Sequence, residues 1–223
     1  MRRFVIALLL IALAASPALA QRKKSSTKKA PAKAAEVPPK TATPETKCPS
    51  LIGMGVKTVR SFCDVPAGLD PQLGVVIDLP PHAGNGTLSF DLHARHRYSE
   101  DEIESGRSYS RYRAAIGVLT MKGELLARGA IEAEFRTAAD LFDRIGGGNG
   151  PGGLKAVAPA GREPVVIEVP AGVDQVALLG ETLDAITPAG HETAVMPGRP
   201  VAIVSNILFE YRPAPVKPAK KGR

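Results

Sequence analysis

The chain has 223 residues, is 44% hydrophobic and 23% charged, and carries a formal charge of +7, two cysteines and no tryptophan. That length allows one domain with a real core plus flanking segments. The basic balance comes without an aromatic-basic face, which excludes nucleic acid as the expected partner.

Residues 1–20, MRRFVIALLLIALAASPALA, read as a secretory signal peptide. Arg2 and Arg3 make a charged start, residues 4–15 an apolar run, and Ala18-Leu19-Ala20 a small-x-small cleavage site. The run is too short to span roughly 30 Å of hydrocarbon, so no transmembrane segment is expected after cleavage. Position 21 is Gln, so a lipoprotein's acceptor cysteine is missing. A periplasmic or secreted location follows. Export in turn predicts a Cys48–Cys63 disulfide, closing a loop of about fifteen residues.

Charge divides the rest of the chain. Residues 21–47 hold eight Lys/Arg and two Glu, and residues 212–223 hold five Lys/Arg and no acid. Fourteen basic and twenty acidic residues then remain for residues 48–211, a net −6. Both tails are rich in Lys, Pro and Ala and lack apolar periodicity, so they are expected to be disordered and basic. Either they are drawn to anionic polymer or lipid headgroups, or they are solubilising spacers.

Residues 48–211 read as one β domain. LGVVIDLP (73–80) is the first apolar run. In TLSFDLHAR, Leu88, Phe90, Leu92 and Ala94 alternate with Ser89, Asp91, His93 and Arg95. SEDEIESG (99–106) is a helical turn or a loop. In YSRYRAAIGVLT, the apolar set is Tyr112, Ala114, Ile116 and Val118, and Lys122-Gly123 turns the chain into ELLARGAIEAEF. A short helix is predicted after it, with Thr137 and Asp140 as a capping box, Leu141, Phe142 and Ile145 as its apolar stripe, and Gly146 as its stop. GGGNGPGGLKA (146–156) departs from a P-loop: Leu154 stands where Lys is required, and the glycines follow a helix instead of leading into one. It reads as a connector. PVVIEVP, VDQVALLG and PVAIVSNILFEY complete a mainly antiparallel, all-β chain, folded as a jelly-roll-like or Ig-like β-sandwich.

VPAGVDQVALLG and TLSFDLHARHRYS resemble strands of the jelly-roll sandwiches found in many carbohydrate-binding modules. The resemblance covers roughly residues 73–211 at the level of architecture and implies a carbohydrate-binding-like domain. It departs from those modules in having no tryptophan.

No nucleophile elbow, zinc-helix motif or calcium loop is present, so no catalytic residue, metal ligand or cofactor is assigned. His93 and His96 stand three apart, which on a strand sends them to opposite faces. His93 is expected to face solvent, and His96 to be satisfied at the strand's end. Most binding character lies in residues 93–113, HARHRYSEDEIESGRSYSRYR, with three of the four tyrosines and five arginines. If the two strands here are neighbours, one outer face shows Asp91, His93 and Arg95 beside Tyr109, Arg111 and Arg113, a surface suited to a sugar or an acidic ligand. The bland reading of the same residues is a solvated face laced with Asp–Arg pairs. The functional expectation is an exported, non-enzymatic binding or envelope-associated protein that recognises a glycan or protein partner. The alternatives are a hydrolase of extracellular or envelope polysaccharide, with two distant carboxylates, and a structural subunit of an exported assembly with an uncovered edge such as PVAIVSNILFEY.

Overall fold

The computed structural model describes residues 38–145, 156–193 and 195–215. In chain order the strands are β1 (Lys40–Ala42), β2 (Glu45–Lys47), β3 (Leu51–Met54), β4 (Ser61–Pro66), β5 (Val75–Asp78), β6 (Gly86–Tyr98), β7 (Ser110–Thr120), β8 (Leu125–Phe135), β9 (Ala156–Val169), β10 (Gln175–Thr187), β11 (Gly190–Glu192) and β12 (Pro200–Tyr211). One α-helix, α1 (Glu100–Glu104), follows β6.

The strands form two antiparallel sheets. The first runs β3-β4-β12-β6-β9 with β1 against β12, and the second β2-β5-β10-β7-β8 with β11 against β10. Four pairs, β4 with β12, β5 with β10, β6 with β9 and β7 with β8, are the rungs of one long ribbon folded at the β7–β8 turn. Rolling that ribbon up adds β12 beside β6 and β10 beside β7. This is the jelly-roll order, and it selects that sandwich over the immunoglobulin-like one.

Period-two alternation sets the core as expected. Leu88, Phe90 and Leu92 from β6 meet Ile116 and Val118 from β7, Leu178 from β10, and Val204 and Phe209 from β12, all at most 2% exposed. Gly123, with φ of 83°, closes the β7–β8 hairpin in a conformation that disfavours a side chain.

Several features depart from the sequence expectation. Residues 38–47, assigned to the basic linker, include β1 and β2. Their polar triplets KTA and ETK have no apolar signal to read, and pairing with β12 and β5 holds them in place. The helix expected after Thr137 is a single 3-10 turn, Ala138–Asp140, although its capping box forms. Leu141, Phe142 and Ile145 do not form a helical stripe. Leu141 pairs with Ala160, Phe142 N–H donates to Pro159 O, and Ile145 pairs with Gly55, so the segment crosses the outer face of the first sheet. Among the described residues the one α-helix instead lies at α1, with Ser99 accepting from the Glu102 N–H as its N-cap. β12, named as a possible open edge, sits inside the first sheet between β4 and β6. Residues 146–155 of the glycine-rich connector, the leader and most of both basic tails lie outside the described residues.

The two cysteines are joined in a disulfide, Cys48–Cys63, with Cα atoms 5.9 Å apart. Cys48 directly follows β2 in the second sheet and Cys63 lies in β4 of the first, so the bond ties one sheet to the other. Such a bond fits a protein matured in an oxidising, extracytoplasmic compartment. Among the described residues, no helix is long and apolar enough to cross a membrane.

Candidate functional site

The six residues singled out for binding do not share a face. Asp91, His93 and Arg95 lie on β6 in the first sheet, whereas Arg111 and Arg113 lie on β7, and Tyr109 just before it, in the second. The roll sends the consecutive strands β6 and β7 to opposite sheets, which is why the expected common surface does not form.

On the first sheet the outward Asp91 and His93 of β6 are covered. His93, expected to face solvent, is 0% exposed. Phe142 packs over its ring at 4.5 Å and Phe62 meets it edge-on at 5.6 Å. Its Nδ1 pairs with Gly161 O at 2.8 Å and its Nε2 with Ser205 Oγ at 2.9 Å. Burial lowers its pKa, against the Gly161 carbonyl, which raises it. Asp91, 2% exposed, takes Arg60 at 2.8 Å, Arg162 at 3.0 Å and Asn206 at 3.3 Å. Arg95 grips the buried Asp64 through Nε at 2.9 Å and Nη2 at 3.4 Å, and Ser50 also donates to that carboxylate. Buried charges of this kind need such partners, and here every carboxylate has them.

The second sheet presents the opposite case. Arg111 and Arg113 are exposed and share the cross-strand Glu132, at 2.7 and 2.9 Å. Hydrogen bonds from Arg111, then Arg113, hold the Glu132 carboxyl below its usual range. Arg136 pairs with Glu134 and lies 5.9 Å over the Tyr109 ring. This face is flat, wet and internally paired.

Concavity occurs elsewhere, where the two sheets part at one end of the roll. The end of β6, α1, the start of β7, the end of β10 and the start of β12 enclose a cavity of about 790 Å³, a size typical of a small-molecule site. Arg95, Arg97, Arg107 and Arg199 line it with Glu102 and Glu192, and His96, Tyr109 and Tyr112 supply rings. Burial holds the Tyr112 phenol protonated far above its ordinary value, and its hydroxyl donates to Val201 O at 2.8 Å. His96 is 5% exposed and stacks on Phe135 with centroids 3.6 Å apart. Its Nδ1 pairs with Ser110 Oγ at 2.8 Å, while its Nε2 has no hydrogen-bond partner. It is thus only half satisfied, contrary to expectation. Burial depresses its pKa to about 4, so the ring is neutral at neutral pH. No group of three or more His, Cys, Asp or Glu is placed to hold a metal ion among the described residues.

The stretch 93–113 lines this cavity in part through side chains of opposite parity. His96, Ser110 and Tyr112 point between the sheets, and their alternation marks them as core, not as binding groups. Arg199 and Glu192 join from nearly ninety residues away, and no local signal marks them.

No family model matches the chain, and no curated protein matches it in sequence. Among solved structures it is similar to the K1 cleaved adhesin domain of Lys-gingipain from Porphyromonas gingivalis W83. Identity there is 13% over 81% of this chain and 95% of that one, with a TM-score of 0.33. An arabinose-bound GH51 α-L-arabinofuranosidase is 11% identical over 77% of this chain and 23% of its own, with a TM-score of 0.25. The VP2 subviral particle of infectious bursal disease virus is 9% identical over 79% and 34%, with a TM-score of 0.22. These likenesses are too distant to speak to function.

Proposed function

We propose that this is an exported, non-enzymatic binding protein of the cell envelope, whose jelly roll recognises a glycan in the cavity at its end. The observation that carries the reading is that cavity, because it is the place where arginine, tyrosine and histidine side chains from both sheets line one concave surface. The leader sequence and the Cys48–Cys63 disulfide support export. The basic stretches 21–47 and 212–223 add attraction to anionic polymer or lipid headgroups, on the order of 1 kcal/mol per well-placed charge.

Co-sedimentation of the full chain with purified envelope polysaccharide, at low and high salt, tests both parts. The expected outcome is strong binding at low salt, with a fraction that survives at high salt. Removing four of the charges of residues 21–47 by K23Q, K24Q, K28Q and K29Q reduces the salt-sensitive fraction and leaves the rest. Complete loss of binding in that variant would eliminate the cavity's role and leave only a polyelectrolyte tail. Release of soluble product from the polymer would move the protein to the hydrolase class.

A further inference from the structure

Most polar groups around the end cavity are already committed to the framework. Tyr112 Oη donates to Val201 O, Ser108 Oγ to Arg136 O, and Ser110 Oγ pairs with His96 Nδ1. Arg95 is tied to Asp64 and Arg199 to Glu192. Left without a protein hydrogen-bond or ion-pair partner among the described residues are the guanidinium groups of Arg97 and Arg107, both exposed, the Tyr109 hydroxyl, and the buried His96 Nε2.

That remainder is specific in character. Guanidinium groups are obligate donors, suited to a forked carboxylate. His96 Nε2 is closed to solvent and so belongs to the wall behind these groups. The Tyr109 side chain, half-buried on the same wall, offers ring surface for the apolar face of a sugar. A neutral sugar would leave both guanidinium charges uncompensated.

We infer that the cavity takes a carboxylate-bearing saccharide unit, with its acid group held by Arg97 and Arg107 and its apolar face against the Tyr109 ring. The inference rests on the glycan reading above and narrows it to acidic sugars. The full chain is titrated by calorimetry with a short oligogalacturonate, with its methyl-esterified form, and with sodium acetate. Tight binding is expected only for the acidic oligomer, because the ester removes the charge and acetate lacks the sugar body. Arg97→Ala and Arg107→Ala each weaken that binding about tenfold or more, the scale of a lost charged hydrogen bond. Both side chains are exposed, so thermal melts are expected to match the parent. Removing the same four tail charges changes the affinity less than about threefold, since exposed charges interact weakly once salt is present. Equal binding of ester and acid overturns the acidic preference while the glycan reading stands. Acetate binding as tightly as the oligomer reduces the site to a general anion pocket. Binding of the acid that ignores both arginines but vanishes with those four tail charges overturns the site, as does no binding at all. Salt-resistant retention on envelope polysaccharide separately decides whether the broader reading survives.

Discussion

His96 shows what a single buried, half-satisfied side chain can cost the fold. Its ring is buried and neutral, with pKa about 4 against 6.5 for an ordinary histidine. The unfolded chain therefore binds a proton near pH 6.5 that the folded chain refuses until about pH 4. Stability is full above 6.5, falls as pH drops through that window, and levels below about 4. A shift of this size corresponds to on the order of 3 kcal/mol. Glu102 and Asp140 oppose the shift through their charge, and His93, also lowered by burial, adds to the loss in the same direction. Urea unfolding of the parent and of His96→Phe from pH 7.5 to 4 checks this. The variant's curve is expected to be clearly flatter, and parallel curves would show that His96 does not titrate this way.

Among the elements, the crossing segment after β8 is held by one carboxylate. Burial of Asp143 opposes its ionisation, but hydrogen bonds from Thr58 Oγ1 and from the backbone N–H groups of Lys57, Thr58 and Arg144 outweigh it and lower its pKa. These contacts span 2.5–2.9 Å and latch residues 55–60 to residues 136–145 over His93. Asp143→Ala is expected to cost about 2–3 kcal/mol, since backbone donors lose a charged acceptor. Hydrogen exchange at Lys57 and Thr58 should rise with it, and unchanged protection there would exclude the latch. Strand β10 carries a second constraint. Its register shifts between Gly180 and Thr182, and a Cβ at Gly180 would collide with the Val201 side chain and come within 3.3 Å of Ala67 Cα. Gly180→Ala should destabilise by about 1–3 kcal/mol as an overpacked site. An unchanged denaturant midpoint would mean that Val201 moves aside freely.

On the scale of the whole molecule, the disulfide ties the two sheets together through residues that do not line the end cavity. Its loop spans a sequence separation of 15. Replacing Cys48 and Cys63 together with Ala is expected to cost about 3 kcal/mol by the chain-entropy account. The oligogalacturonate affinity of the folded protein should be unchanged, because neither cysteine lines the cavity. A parallel loss of affinity would couple the staple to the site.

The sequence by itself determined the two-sheet β architecture and the disulfide, because both are recorded locally. Alternation along TLSFDLHAR and YSRYRAAIGVLT names one face of each strand, and two cysteines leave one intramolecular pairing. Composition also singled out residues 93–113, since arginine and tyrosine density needs no fold to be counted. Only the tertiary structure decided which of those residues meet. Alternation says that Asp91 and His93 oppose Leu92, but not that Phe142 then buries that outer face. Nor does it say that β6 and β7 enter different sheets, which separates Arg95 from Arg111 and Arg113. The strands β1 and β2 were illegible because polar triplets at a sheet edge are held by backbone pairing, which leaves no side-chain pattern. The end cavity was hidden for a related reason. Side chains that alternate like core residues become site residues only where the two sheets diverge, and that divergence is a property of how the ribbon rolls, not of any one strand.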